Sequence, residues 1–78
     1  MPHVVLKTIG GRSKEQLQEA AVQIAAVVNK TLGKPDKYIS VAVEEYTPDQ
    51  WVGVYNECIK DNDTVFIKPG YTNPRTFE

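Results

Sequence analysis

Nine Lys or Arg residues against ten Asp or Glu in 78 residues give a net charge of −1, in a chain long enough for one small domain with a modest core. The isoelectric point near 5.8 and the scattered basic residues exclude the basic stripe that a nucleic acid or an acidic membrane surface would need. The single cysteine, Cys58, excludes an internal disulfide and a cysteine-rich metal site.

The chain starts Met1-Pro2-His3-Val4-Val5-Leu6-Lys7-Thr8-Ile9-Gly10-Gly11-Arg12. Lys7 and Arg12 interrupt it and no long apolar run follows, so it does not read as a signal peptide. No stretch reaches the length of a membrane span, and a cytoplasmic protein is expected. Pro2 has two readings. As an internal residue it is a stiff, donor-free start to a strand. If Met1 is trimmed, it becomes an N-terminal secondary amine. Terminal amines ordinarily titrate near ~7.7–8.0, and a base works best with its pKa near the working pH.

His3 to Ile9 is rich in residues that suit a pleated, partly buried surface and reads as a strand. Alternation sets Pro2, Val4 and Leu6 on one face and His3, Val5 and Lys7 on the other. His3 reads as a surface residue of this strand. Gly10-Gly11 breaks the strand and aims Arg12. The spacing of a dinucleotide or phosphate loop is absent. Ser13-Lys14-Glu15-Gln16 fits a capping box. Leu17, Ala20, Ala21, Ile24, Val27, Val28 and Leu32 then recur at helical spacing as one apolar stripe. Gly33 and Pro35 end the helix near Leu32.

Tyr38 to Tyr46 alternates with a period of two and reads as a second strand. Strand, helix and strand in this order imply a right-handed crossover between parallel strands. The helix stripe is expected to cover the Ile39-Val41-Val43 face, leaving Val4, Leu6 and Ala42 uncovered. Thr47-Pro48-Asp49-Gln50 opens a second, shorter helix. Trp51, Val54, Tyr55, Cys58 and Ile59 recur along it, with Tyr55 and Cys58 read as packing. Asp61-Asn62-Asp63 is a polar break without calcium-loop spacing. Thr64 to Ile67 reads as a short strand, and the tail with Asn73-Pro74-Arg75 is expected to be loosely held. The fold class is α/β (α+β), one domain over 1–78. An uncovered apolar sheet face argues for a homo-oligomer, dimer or hexamer.

Taken in register, these features resemble the tautomerase superfamily, in its 4-oxalocrotonate tautomerase group. The likeness rests on Pro2 after Met1, Gly11-Arg12-Ser13 opening the helix, the βαβ order, Trp51 after the second strand, and the ending Lys68-Pro69-Gly70-Tyr71. It covers nearly the whole chain and is nearest to the short bacterial phenylpyruvate-type subgroup. The resemblance implies a keto–enol isomerase without metal or cofactor, in which Pro2 moves a proton as base and acid. Arg12 then pairs with a substrate carboxylate, as a guanidinium can do through two hydrogen bonds. Trp51 falls where the family has an aromatic wall.

The sequence departs from the family at Ser40, which stands where the prototype has a second arginine. A dicarboxylate such as 2-hydroxymuconate should fit less well than a monocarboxylate such as phenylpyruvate enol. Whether Lys37, Tyr38 or a neighbour's Arg75 restores the charge stays open. The resemblance also admits hydratase, dehalogenase or decarboxylase chemistry, for which Glu44 is the candidate to activate water. A non-catalytic assembly module that keeps the fold is the third reading.

Overall fold

The computed structural model describes residues 1–76. Strand β1 spans His3–Ile9, helix α1 Lys14–Leu32, strand β2 Ser40–Tyr46 and helix α2 Pro48–Val54. The chain divides into two units, Met1–Glu45 and a second from Tyr46 onward.

In the first unit β1 and β2 form a two-stranded sheet. The Ser40 amide donates to the Pro2 carbonyl at 3.2 Å, tying the start of β2 to the start of β1. Farther along, Lys7 Nζ and Glu44 Oε1 lie 3.5 Å apart. Both pairings advance together, so the strands run parallel, as a helical crossover requires.

Helix α1 starts where its cap directs. Ser13 Oγ accepts from the Gln16 amide at 3.1 Å, and Gln16 Oε1 accepts from the Ser13 amide at 3.0 Å. Gly33 ends it at φ 66°, a left-handed conformation that glycine adopts without strain. Replacing Ser13 by alanine removes the acceptor for an otherwise orphan amide. It should lower unfolding free energy by about 1 kcal/mol, read as a lower denaturant midpoint at unchanged slope.

The expected facing of the sheet is corrected. His3 pairs with Ser40 and Lys7 with Glu44 across the strands, so His3, Val5 and Lys7 share a face with Ser40, Ala42 and Glu44. Val4 instead meets Ile24, Val27 and Val28 of α1 around a shared apolar hollow. The helix therefore covers Val4 and Leu6 together with Val41 and Val43, and the open face is the one carrying Val5 and Ala42. Alternation along each strand groups its own residues, but only the pairing register says which groups share a side. Tyr38 is also corrected: it closes a 3₁₀ turn, Asp36–Tyr38, ahead of β2.

In the second unit α2 has the same kind of capping box, from Thr47 and Gln50. It runs into a wider π-helical turn, Tyr55–Ile59. Val54 and Tyr55 there are 8% and 9% exposed and are the buried apolar residues among those described. Packing was the role read for Tyr55, and its burial agrees.

Asn62 closes the π turn by donating to the Cys58 carbonyl at 2.8 Å, while its own oxygen accepts from the Thr64 amide at 3.0 Å. The short strand expected at Thr64 to Ile67 does not form; turn and bend occupy those residues. Their β propensity has no partner ladder to satisfy, and Phe66 and Ile67 stand 94% and 90% exposed. The loosely held tail is corrected too. Arg75 Nη2 donates to Asp49 Oδ1 at 2.9 Å, and Asn73 accepts from the Arg75 and Thr76 amides, each at 3.0 Å.

Candidate active site

Pro2 sits half-buried just ahead of β1, its carbonyl bound by the Ser40 amide. Two of the residues singled out in the sequence are thereby brought together. Ser40 is fastened twice, because its Oγ also lies 2.6 Å from His3 Nδ1. His3 was read as a bland surface residue; no sequence pattern links it to a serine 37 positions away. Met1 is 93% exposed and makes little contact, so its departure would cost little packing. Met1, Gly33, Lys34, Pro35 and Tyr38 line a hollow of about 270 Å³.

Three groups could have replaced the missing arginine. Tyr38 lines this hollow, with Lys37 Nζ 5.0 Å from the centre of its ring. Arg75 is engaged with Asp49. Lys34, not foreseen, brings an ammonium to the wall of the hollow.

Arg12 is exposed at the far end of β1. Gly11, at φ 119°, supplies the turn that carries the chain from strand to helix cap, a backbone setting that residues with a Cβ rarely adopt. Seven strand residues separate the two ends, about 23 Å at the usual rise per residue. Within one copy of the chain Arg12 and Pro2 therefore do not meet. Glu44 lies on the open sheet face beside Lys7, four positions and about 13 Å along β2 from Ser40. That distance separates it from the proline end of the sheet.

Trp51 belongs to the second unit, where it is part of an aromatic group. Its ring meets Tyr46 edge-on at 6.3 Å between centroids, a favourable aromatic geometry. Its indole N–H donates to the Tyr71 hydroxyl at 3.2 Å, and Tyr71 in turn lies 5.7 Å from Tyr55. An indole held by hydrogen bond and ring contact is a fixed apolar wall. Tyr71, in the Lys68-Pro69-Gly70-Tyr71 ending, is what fixes it. Among the described residues no group of three or more His, Cys, Asp or Glu side chains could hold a metal ion.

The model for the family described as "Tautomerase enzyme" matches residues 2–62. The chain belongs to the tautomerase family. It is 40% identical over 75 residues to Tautomerase PptA of Pectobacterium carotovorum subsp. carotovorum, covering 92% of this chain and 99% of that protein. The crystal structure of TomN, a 4-oxalocrotonate tautomerase homologue in the tomaymycin biosynthetic pathway, superposes with a TM-score of 0.62 at 30% identity, over 64% of this chain and 77% of TomN. YwhB, another homologue of 4-oxalocrotonate tautomerase, gives a TM-score of 0.62 at 22% identity over 86% of this chain and all of its own, a likeness of fold. The tautomerase assignment makes the chain an isomerase. No helix of the described residues is long and apolar enough to cross a membrane.

Proposed function

We infer that this tautomerase interconverts the keto and enol forms of a 2-oxo monocarboxylic acid, with Pro2 as the group that moves the proton. The observation that carries the reading is the join between Pro2 and Ser40. It ties the Pro2 carbonyl to the backbone of Ser40, the residue at the position where a dicarboxylate-specific relative would need a cation, and so supports a site that includes both. With Met1 removed, the Pro2 nitrogen takes a proton from the enol hydroxyl and returns one to the adjacent carbon, so no net proton is consumed. Arg12 of a second copy holds the carboxylate, since its own strand carries it away from its own Pro2. Trp51, fixed by Tyr71 within the second unit, supplies an apolar wall of the kind the family resemblance implies. The exposed Val5 on the open sheet face of the first unit and, separately, the exposed Phe66 and Ile67 of the second favour a homo-oligomer, because exposed apolar surface of this kind is normally covered.

The deciding experiment is an intact mass followed by ultraviolet measurement of phenylpyruvate enol ketonisation on the same sample. Turnover by the trimmed chain that collapses when Pro2 is replaced supports the reading; a trimmed chain without turnover on any 2-hydroxyalkenoate sinks it. Substrate choice should follow charge. A charge-assisted hydrogen bond is worth about 1.5–3 kcal/mol, so the missing arginine should leave kcat/KM for 2-hydroxymuconate at least about tenfold below that for phenylpyruvate enol. Ser40→Arg should narrow that gap, and an unchanged ratio would show that Ser40 does not touch the substrate.

A further inference from the structure

The geometry points to His3 as the residue that decides whether the Ser40 hydroxyl offers a hydrogen or a lone pair to a bound carboxylate. This rests on the reading of Ser40 as a substrate contact.

His3 Nδ1 and Ser40 Oγ are 2.6 Å apart, close enough that one hydrogen lies between them. A neutral ring with a bare Nδ1 must accept, so the hydroxyl hydrogen is committed to His3 and only oxygen lone pairs face the other way. A charged ring carries hydrogen on both nitrogens. Nδ1 then donates to Oγ, and the hydroxyl hydrogen is released to whatever lies beyond. The Ser40 backbone is held in place by its amide's bond to the Pro2 carbonyl at 3.2 Å.

Lys7 of β1 and Glu44 of β2 share this sheet face but are paired with each other at 3.5 Å, about 13 Å farther along the strands. Helix α1 packs on the opposite face and brings no charge to this one. Lys34, Asp36 and Lys37, in the turn before β2, and the terminal amine are the other charges at this end of the sheet.

Imidazole changes charge between about pH 5 and 8, a range in which a simple carboxylate stays ionised. A carboxylate near Ser40 therefore meets a hydrogen donor backed by a positive ring at the acid end of that range, and lone pairs at the alkaline end. Its affinity rises as pH falls. His3 acts through Ser40 and is a positioning residue.

The test uses phenylacetate, which binds as a carboxylate without turning over, titrated calorimetrically into the trimmed protein near pH 5.5 and near pH 8. Affinity about tenfold tighter at the acid pH is expected, with a clearly smaller acid preference, the part owed to the terminal amine, left in both His3→Asn and Ser40→Ala. Imidazole nitrogen NMR of the unaltered protein, which needs no variant to fold, should show the neutral His3 ring carrying its hydrogen on Nε2. Equal affinity at both pH values, a pH dependence undiminished in Ser40→Ala, or a neutral ring protonated on Nδ1 would each overturn the inference, as would no binding at either pH. Because phenylacetate binding is independent of turnover, pH-linked binding without enol ketonisation would leave this inference standing and remove the tautomerase substrate reading alone.

Discussion

A chain with one glycine inserted between Met1 and Pro2 should ketonise phenylpyruvate enol about 10²–10⁴-fold more slowly than the trimmed protein, the usual contribution of a positioned general acid or base. The insertion turns the Pro2 nitrogen into an amide, whose lone pair is delocalised into the carbonyl and accepts no proton at neutral pH. Little else changes. Met1 projects into solvent, and the Pro2 carbonyl keeps its bond from the Ser40 amide, so the sheet start should stay formed. Pro2→Ala is a milder lesion, because trimming leaves a primary amine in nearly the same place. Its activity should fall between the other two. The check is kcat/KM on samples whose first residue has been established by mass. An inserted chain as active as the trimmed one would remove Pro2 from the chemistry.

Mixing two impaired proteins should restore activity. Pro2→Ala lacks the proper base. Arg12→Ala lacks the carboxylate clamp, and the loss of a charge-assisted contact worth about 1.5–3 kcal/mol should lower kcat/KM by roughly 10–150-fold. The span of β1 keeps Pro2 and Arg12 of one copy apart, so each working site must draw them from two copies. On random reassembly of equal amounts, a site has one chance in two of an intact proline and, independently, one in two of an intact arginine. About a quarter of wild-type activity should return, whatever closed symmetry the assembly has. If both residues instead acted within one copy, every site would lack one of them and mixing would restore nothing. The measurement is turnover after joint unfolding and refolding of the two variants, beside each refolded alone.

The local signals of this chain were legible because each depends on near neighbours. Ser13 with Gln16 and Thr47 with Gln50 predict two helix starts, and both capping boxes form. Gly33 ends α1 in the conformation its position suggests. What depends on distant partners was not legible. The strand alternation grouped Val4 with Leu6 correctly and set Val41 and Val43 under the helix, but gave no information on which β1 residues join them, so Val4 and Leu6 were placed on the open face. Thr64 to Ile67 has the composition of a strand, yet a strand is defined by its ladder, and none is present in the chain to meet it.

The candidate site divides in the same way. Pro2, Arg12, Ser40 and Trp51 could be picked out by kind and order. His3 and Lys34 could not, since their relevance arises only when β2 is laid beside β1 and the turn after α1 comes back to the chain start. Tyr71 was noted as part of the ending, but its hold on Trp51 is a tertiary fact.

The scarcity of buried residues has a consequence for how this protein exists in a cell. Only Val54 and Tyr55 among the described residues are removed from water, too little to offset the ordering of a chain of this size by itself. With the self-association proposed above, folding and assembly form a single mass-action equilibrium. The fraction of native protein depends on how much of it is made, and the thermal midpoint climbs with concentration. A cell that lowers expression does not only have fewer enzymes; it has a smaller share of its chains folded, and the remainder is open to proteolysis.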